Sequence, residues 1–269
     1  MQVCSAPPFT ADDVLTGAAE EAGCGVSGGV PGGAFNEAHG DTTGAALDGA
    51  AGDARDTGVR WQPHDVLRLA RLPALEGEPA WVRDAFSRAP YAVVRRARSA
   101  TGFVAIGIRG ATRSHRYGTW VAAGDVECAF APEALLAHQP AASRSALPVF
   151  VALAAMRAAP GCLAQFSWGP AGSSGFELAT QMPTVTPSSD LDLLIHAPDR
   201  LAVSAAQQLL GELQMHAERA QTRVDAQLET PAGGVALAEL AADKPHVMVR
   251  TAHGPRLMAD PWASITEPA

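Results

Sequence analysis

The chain contains no run of about 18 consecutive apolar residues and no basic amino-terminal stretch leading into an apolar core, so neither a membrane-spanning helix nor a secretory leader is expected. Cys4, Cys24, Cys128 and Cys162 are scattered, with no Cys-x-x-Cys pair and no Cys/His ligand spacing. That excludes a disulfide framework and a structural zinc site as readings, and makes a cytoplasmic location the default expectation. Positive charge is also short, since 20 Lys and Arg stand against 28 Asp and Glu. A net charge of −8 argues against broad attachment to nucleic acid and requires any phosphate site to be a local pocket.

Large apolar residues are almost missing from residues 1–58, which are rich in Gly, Ala, Asp and Thr. Asp12, Asp13, Glu20, Glu21, Glu37, Asp41, Asp48, Asp53 and Asp56 face only Arg55 there, so this stretch carries the whole net charge and leaves the remainder near neutral. Its composition cannot offset the entropy of ordering, and a disordered acidic tail is expected. Gly28-Gly29 and Gly32-Gly33 are not followed by Lys-Ser or Lys-Thr, which sets aside a phosphate-binding P-loop.

With 47% hydrophobic residues over 269 positions, the rest can bury a sizeable core. Tyr91-Ala92-Val93-Val94-Arg95-Arg96 and Phe103-Val104-Ala105-Ile106-Gly107-Ile108 read as strands of a small α/β domain over residues 59–142. A Pro- and Ser-containing link near Gln139–Ser145 precedes a second α/β domain, residues 143–269. There the apolar run from Leu147 reads as a helix, Asp190–Ile195 as a strand, Asp199–Arg219 as an amphipathic helix, and Arg223–Glu229 as a further strand.

Chemistry concentrates in this second domain. On a strand Asp190 and Asp192 project to one face while Leu191, Leu193 and Ile195 enter the core. Carboxylates so close repel unless solvent, hydrogen bonds or a cation intervene, and a hard divalent cation such as Mg²⁺ suits them, completed by water and substrate phosphate. Asp225 alternates with Val224, Ala226 and Leu228, and on a neighbouring strand it completes the cluster. Upstream, Gly172 and Ser173 offer close backbone approach and a hydroxyl to a polyphosphate. Each piece has a bland counterpart, because Asp-x-Asp is common on solvated edges and Gly-Ser-Ser-Gly in turns. Their order along the chain points to phosphoryl or nucleotidyl transfer.

Gly-Ser, then Asp-x-Asp on a strand, then a later strand Asp resembles the DNA polymerase beta-like nucleotidyltransferase superfamily, although the interval from Ser173 to Asp190 is longer than usual there. Trp168-Gly169-Pro170, Gly175-Phe176-Glu177-Leu178-Ala179-Thr180, Ser189-Asp190-Leu191-Asp192-Leu193-Leu194, Asp225-Ala226-Gln227-Leu228-Glu229-Thr230-Pro231 and Gly254-Pro255-Arg256-Leu257, with His64-Asp65 and Val94-Arg95-Arg96, resemble the malonate decarboxylase holo-acyl-carrier-protein synthases, or phosphoribosyl-dephospho-CoA transferases. The resemblance spans nearly everything after Trp61. It implies a nucleotidyltransferase-like mixed sheet with flanking helices. It also implies triphosphoribosyl-dephospho-CoA as donor, a Ser of the malonate decarboxylase acyl-carrier protein as acceptor, and pyrophosphate as product, with no nucleic-acid or membrane partner. Asp190, Asp192 and Asp225 would then be metal-binding and catalytic.

Arg95, Arg96, Arg109, Arg113 and Arg116 recur in the first domain and can grip phosphates bidentately, with Arg95 and Arg96 favoured because the family-like segment carries them. Arg256, within Gly-Pro-Arg-Leu, is a further donor-binding candidate, and Lys244 and Arg250 are of similar kind. His64 reads either as a general base or as a hydrogen-bonded structural histidine. Two other functions fit the same residues: a nucleotidyltransferase using an ordinary nucleoside triphosphate, and a noncatalytic nucleotide- or carrier-binding protein on this fold.

Overall fold

The computed structural model describes residues 2–3, 61–112 and 114–263. Apart from Gln2 and Val3, the expected tail, with Cys4 and Cys24, lies outside the described residues, as does Arg113. Two six-stranded sheets with helices make up this part of the chain. The first contains β1 (Gln2–Val3), β2 (Val66–Leu69), β3 (Tyr91–Val94), β4 (Phe103–Arg109), β5 (Arg116–Ala122) and β6 (Val126–Phe130), in the order β1-β5-β4-β3-β2-β6. Its pairings are antiparallel except that of β1 with β5. Helix α1 (Ala80–Arg88) follows β2 and supplies Val82 and Ala85 to a core with Leu67, Val94, Ile106 and Ile108.

The second sheet is built from β7 (Trp168–Pro170), β8 (Leu191–His196), β9 (Val224–Thr230), β10 (Gly233–Ala236), β11 (Val247–Thr251) and β12 (Gly254–Met258), ordered β12-β11-β10-β9-β8-β7. Only β8 and β9 run parallel, and α4 (Val203–Arg219) makes the crossover that parallel neighbours require. Ala206, Leu209, Leu213 and Ala217 recur at helical spacing and are buried, while His216 and Arg219 in its last turn suit the negative end of the helix dipole. Helices α2 (Pro148–Ala158), with Pro at its first position, and α5 (Leu237–Ala241) pack into the same core. Leu191, Leu193 and Ile195 of β8 lie fully buried in it. Val66 of the first sheet belongs to this cluster, and Tyr91, Val93 and Phe130 pack against it partly buried, so the two sheets share apolar packing.

Three local differences from the sequence reading have physical causes. Helix α3 (Gly172–Thr180) occupies the Gly-Ser-Ser-Gly segment that reads as a phosphate loop or, in its bland reading, a turn, because Phe176-Glu177-Leu178-Ala179 continues it as a buried helical stretch that ends at Gln181 in the left-handed conformation. Helix α4 starts at Val203 instead of Asp199, since Ala197 still donates to the Glu229 carbonyl and Pro198 follows it. Strand β8 starts at Leu191, which leaves Asp190 ahead of it.

Glu177, almost wholly buried in α3, ties down the loop that leads to β8. It is paired bidentately with Arg144, with one contact of 3.0 Å, and accepts the backbone N–H groups of Thr184 and Val185 at 2.7 and 2.8 Å. Burial opposes its ionisation, but Arg144 and the two amides outweigh that cost and hold the carboxyl below its ordinary range.

Candidate functional site

Paired residues of parallel strands face the same way, so the β8–β9 register sets out a face in three steps: Asp192 beside Asp225, Leu194 beside Gln227, and His196 beside Glu229. The first sheet reaches onto this face at the second and third steps. Arg96 grips Glu229 through both guanidinium nitrogens, one contact being 2.7 Å, and His64 meets Gln227 at 3.0 Å. From β11, Arg250 donates to Gln227 Oε1 at 2.7 Å.

Between these groups lies a cavity of about 740 Å³, bordered by Arg95, Arg96, Arg109, Arg116 and Arg250 together with His64, Val93, Tyr117, Gln227 and Pro255. No described acidic residue lines it. The excess of guanidinium groups creates a field that favours a polyanion. Arg95 lies over the cross-strand pair Gly107 and Gly118, where a Cβ at 118 would overlap its Nη1. That Nη1 is buried without a hydrogen-bond partner in the protein, and burial pushes the guanidinium pKa down. A buried cationic N–H with no acceptor is costly, and an anionic ligand oxygen relieves it.

Arg109 joins the cavity to the carboxylates. Its guanidinium donates to the Gly172 carbonyl at 2.7 Å and stands over the Phe176 ring. Gly172 takes φ +55°, and a Cβ there would overlap Asp192 Oδ2, so glycine is required both for the backbone conformation and for the approach of the carboxylate. Ser173, at the start of α3, is buried and its Oγ has no protein partner. The first N–H groups of a helix lack intrahelical acceptors, so an anion is favoured at this end.

The structure brings the sequence candidates together in part. Asp192 and Asp225 pair across β8 and β9, with Asp192 against Gly172 and Asp225 the more exposed. Asp190, ahead of β8, is held bidentately by Arg223 at 2.9 Å on both oxygens. Among the described residues, no three His, Cys, Asp or Glu side chains gather as a metal-binding group. Two carboxylates on one face, with oxygen donors only, nevertheless fit Mg²⁺, which commonly takes one or two carboxylates and completes its shell with water and substrate phosphate. Arg95 and Arg96 both border the cavity, Arg96 already in its pair with Glu229. Arg256 is exposed on edge strand β12 and does not border it, whereas Arg250 does.

The sequence gives Gln227 no role, and it offers Arg109, Arg116 and Arg250 as phosphate ligands only behind Arg95 and Arg96. The available signals were mid-strand Gly107 and Gly118, which mark close approach of another group, and the alternation that sets Gln227 on the Asp225 face. The positive φ of His64, 81°, has no sequence signature. Its imidazole pKa is lowered to about 4 by burial, then by Arg96 and Arg250. The neighbouring Asp65 points to other groups, and burial, reinforced by Glu133, raises its carboxyl to about 6 despite a hydrogen bond from Gln62 N–H and the nearby His196.

Two family models match the chain: the phosphoribosyl-dephospho-CoA transferase MdcG N-terminal domain over residues 62–132 and the C-terminal domain of the same family over residues 134–261. Phosphoribosyl-dephospho-CoA transferases of Pseudomonas putida (strain GB-1) and Pseudomonas aeruginosa (strain PAO1) are each 40% identical to it, over 205 and 203 residues, covering 76% and 75% of this chain and 96% and 93% of theirs. That of Klebsiella pneumoniae is 36% identical over 208 residues, covering 75% of this chain and 96% of its own. No solved structure matches the chain. No helix among the described residues is long and apolar enough to cross a membrane.

Proposed function

Because the chain belongs to the phosphoribosyl-dephospho-CoA transferase family and is a transferase, we propose that it moves the phosphoribosyl-dephospho-CoA group from triphosphoribosyl-dephospho-CoA to a Ser hydroxyl of the malonate decarboxylase acyl-carrier protein. The observation that carries this reading is an arginine-lined cavity without acidic lining, joined through Arg109 and Gly172 to the paired carboxylates Asp192 and Asp225. A polyanionic donor and a metal-assisted displacement at phosphorus need those two features side by side.

In this reading Arg95, Arg109, Arg116 and Arg250 neutralise the donor phosphates, and the amino end of α3 with Ser173 Oγ receives phosphate oxygens. The acceptor Ser oxygen forms a bond to the α-phosphorus of the donor, the bond to pyrophosphate breaks, and the Ser proton is lost. The solvent access of Asp225 supports its receiving that proton. Asp192 and Asp225 would hold Mg²⁺, with Asp190 joining them on release from Arg223. Bound there, the cation supplies charge stabilisation for the transferring phosphoryl group and the departing pyrophosphate. The partners are the donor and the carrier protein, in the cytoplasm, without nucleic acid or membrane. Asp192→Asn is expected to lower transfer more than about a hundredfold, about 3 kcal/mol, while leaving the fold intact. Transfer at near wild-type rate by a folded Asp192→Asn protein would remove this carboxylate from the chemistry.

A further inference from the structure

Pro63 and His64 are the central residues of a turn closed by Asp65 N–H to the Gln62 carbonyl at 3.1 Å. Pro followed by a positive φ is the type II pattern, whose third position suits glycine or asparagine. A histidine with φ 81° stands where glycine would fit without strain. The turn is held from both sides, by His64 N–H to the Val94 carbonyl at 3.0 Å and by Gln62 N–H to Asp65 Oδ2 at 2.8 Å. Such an outlier, over-determined by its surroundings and bordering a cavity, calls for a functional account.

Hydrogen-bond chemistry provides one. Arginine only donates, so the Gln227 group facing Arg250 at 2.7 Å is its carbonyl oxygen, and its amide N–H₂ therefore faces His64 Nε2 at 3.0 Å. His64 Nε2 must accept, so the imidazole is neutral and carries its proton on Nδ1. Gln227 is nearly buried, and a Cβ at Gly234 would lie 2.6 Å from its Nε2, so glycine makes the room for this amide.

We propose that His64 is a positioning residue for the donor site: its neutral imidazole fixes the orientation of the Gln227 amide, whose oxygen in turn holds the Arg250 guanidinium at the cavity. The proposal rests on the reading of that cavity as the donor phosphate site. Without the imidazole acceptor the amide is free to turn its N–H₂ toward Arg250, donor against donor, and the guanidinium leaves its position. The lowered imidazole pKa agrees with a histidine kept neutral for this purpose.

The test is a cycle of His64→Gly, Arg250→Ala and the double variant, with His64→Gln as the conservative replacement, since the Gln side-chain oxygen can accept where Nε2 did. Donor binding is measured with triphosphoribosyl-dephospho-CoA, transfer kinetics with the carrier protein, and stability by thermal melting. Arg250→Ala is expected to weaken donor binding about tenfold. His64→Gly should weaken it nearly as much, with kcat within about twofold and the melting temperature unchanged or raised. The double variant should bind no worse than Arg250→Ala, and His64→Gln should bind within about twofold of wild type. A structural histidine alone would not give weaker binding together with retained or greater stability. If His64→Gly fails to fold, Gln227→Leu cuts the same chain of bonds and carries the same expectation. Unchanged binding in Arg250→Ala would overturn the cavity reading. Weakened binding in Arg250→Ala with unchanged binding in His64→Gly, or losses that multiply in the double variant, would overturn the positioning role and leave the cavity reading standing.

Discussion

His64 and Asp65 are neighbours with opposite proton linkage, and separating them yields a measurable stability signature. His64 titrates near 4 in the folded protein against 6.5 unfolded, so the unfolded chain binds more protons between those values and stability falls as pH drops through that window. Asp65 titrates near 6 folded against 3.8 unfolded, so the folded chain binds more protons there and stability falls as pH rises through the same window. At about 1.4 kcal/mol per pH unit, lowering pH from 7 to 4.5 costs at most about 3 kcal/mol through His64 and returns about 2 kcal/mol through Asp65. The two nearly cancel in the wild type. Asp65→Asn removes the compensation, so its unfolding free energy should fall about 2 kcal/mol more than wild type between pH 7 and 4.5. His64→Gly leaves Asp65 alone and should shift the same difference by about 3 kcal/mol in the other direction. Any pH-independent effect of relieving the turn drops out of the comparison. Urea unfolding at the two pH values measures these differences directly, and parallel pH profiles for all three proteins would refute the burial argument for both residues.

Two further substitutions probe the supports of the site. Gly118→Ala places a methyl group where Arg95 Nη1 lies, so it should displace that guanidinium and raise the donor KM by about tenfold with little change in kcat, and an unchanged KM would show that Arg95 does not bind donor. Arg144→Ala leaves the buried Glu177 with only its two amide donors and should destabilise the protein by about 3 kcal/mol, read as a lower urea midpoint, whereas an unchanged midpoint would mean that the pair does not hold the α3–β8 loop.

The carboxylate pair was legible because period-two alternation is local: Leu191, Leu193 and Ile195 mark the buried face of β8, and Asp192 falls on the other. That Asp225 stands opposite Asp192 depends on strand register, which no short pattern states. The alternation extends the strand to Asp190, but the pairing begins one position later, and Arg223 supplies its partner across the β8–β9 gap. The cavity was least legible. Its walls come from both sheets, and Gln227 draws its partners from His64, 163 positions away, and from Arg250 on β11. Arg95 and Arg256 look alike as isolated basic residues, yet the Gly107–Gly118 pair receives the first and an exposed edge strand carries the second.

The decisive assay incubates the protein with radiolabelled triphosphoribosyl-dephospho-CoA and apo malonate decarboxylase carrier protein, with Mg²⁺ or EDTA, and with labelled ATP and CTP as rival donors. The proposed transfer requires Mg²⁺-dependent labelling of one carrier Ser from triphosphoribosyl-dephospho-CoA, with pyrophosphate released. Labelling from ATP or CTP alone, or no labelling from any donor, would contradict it.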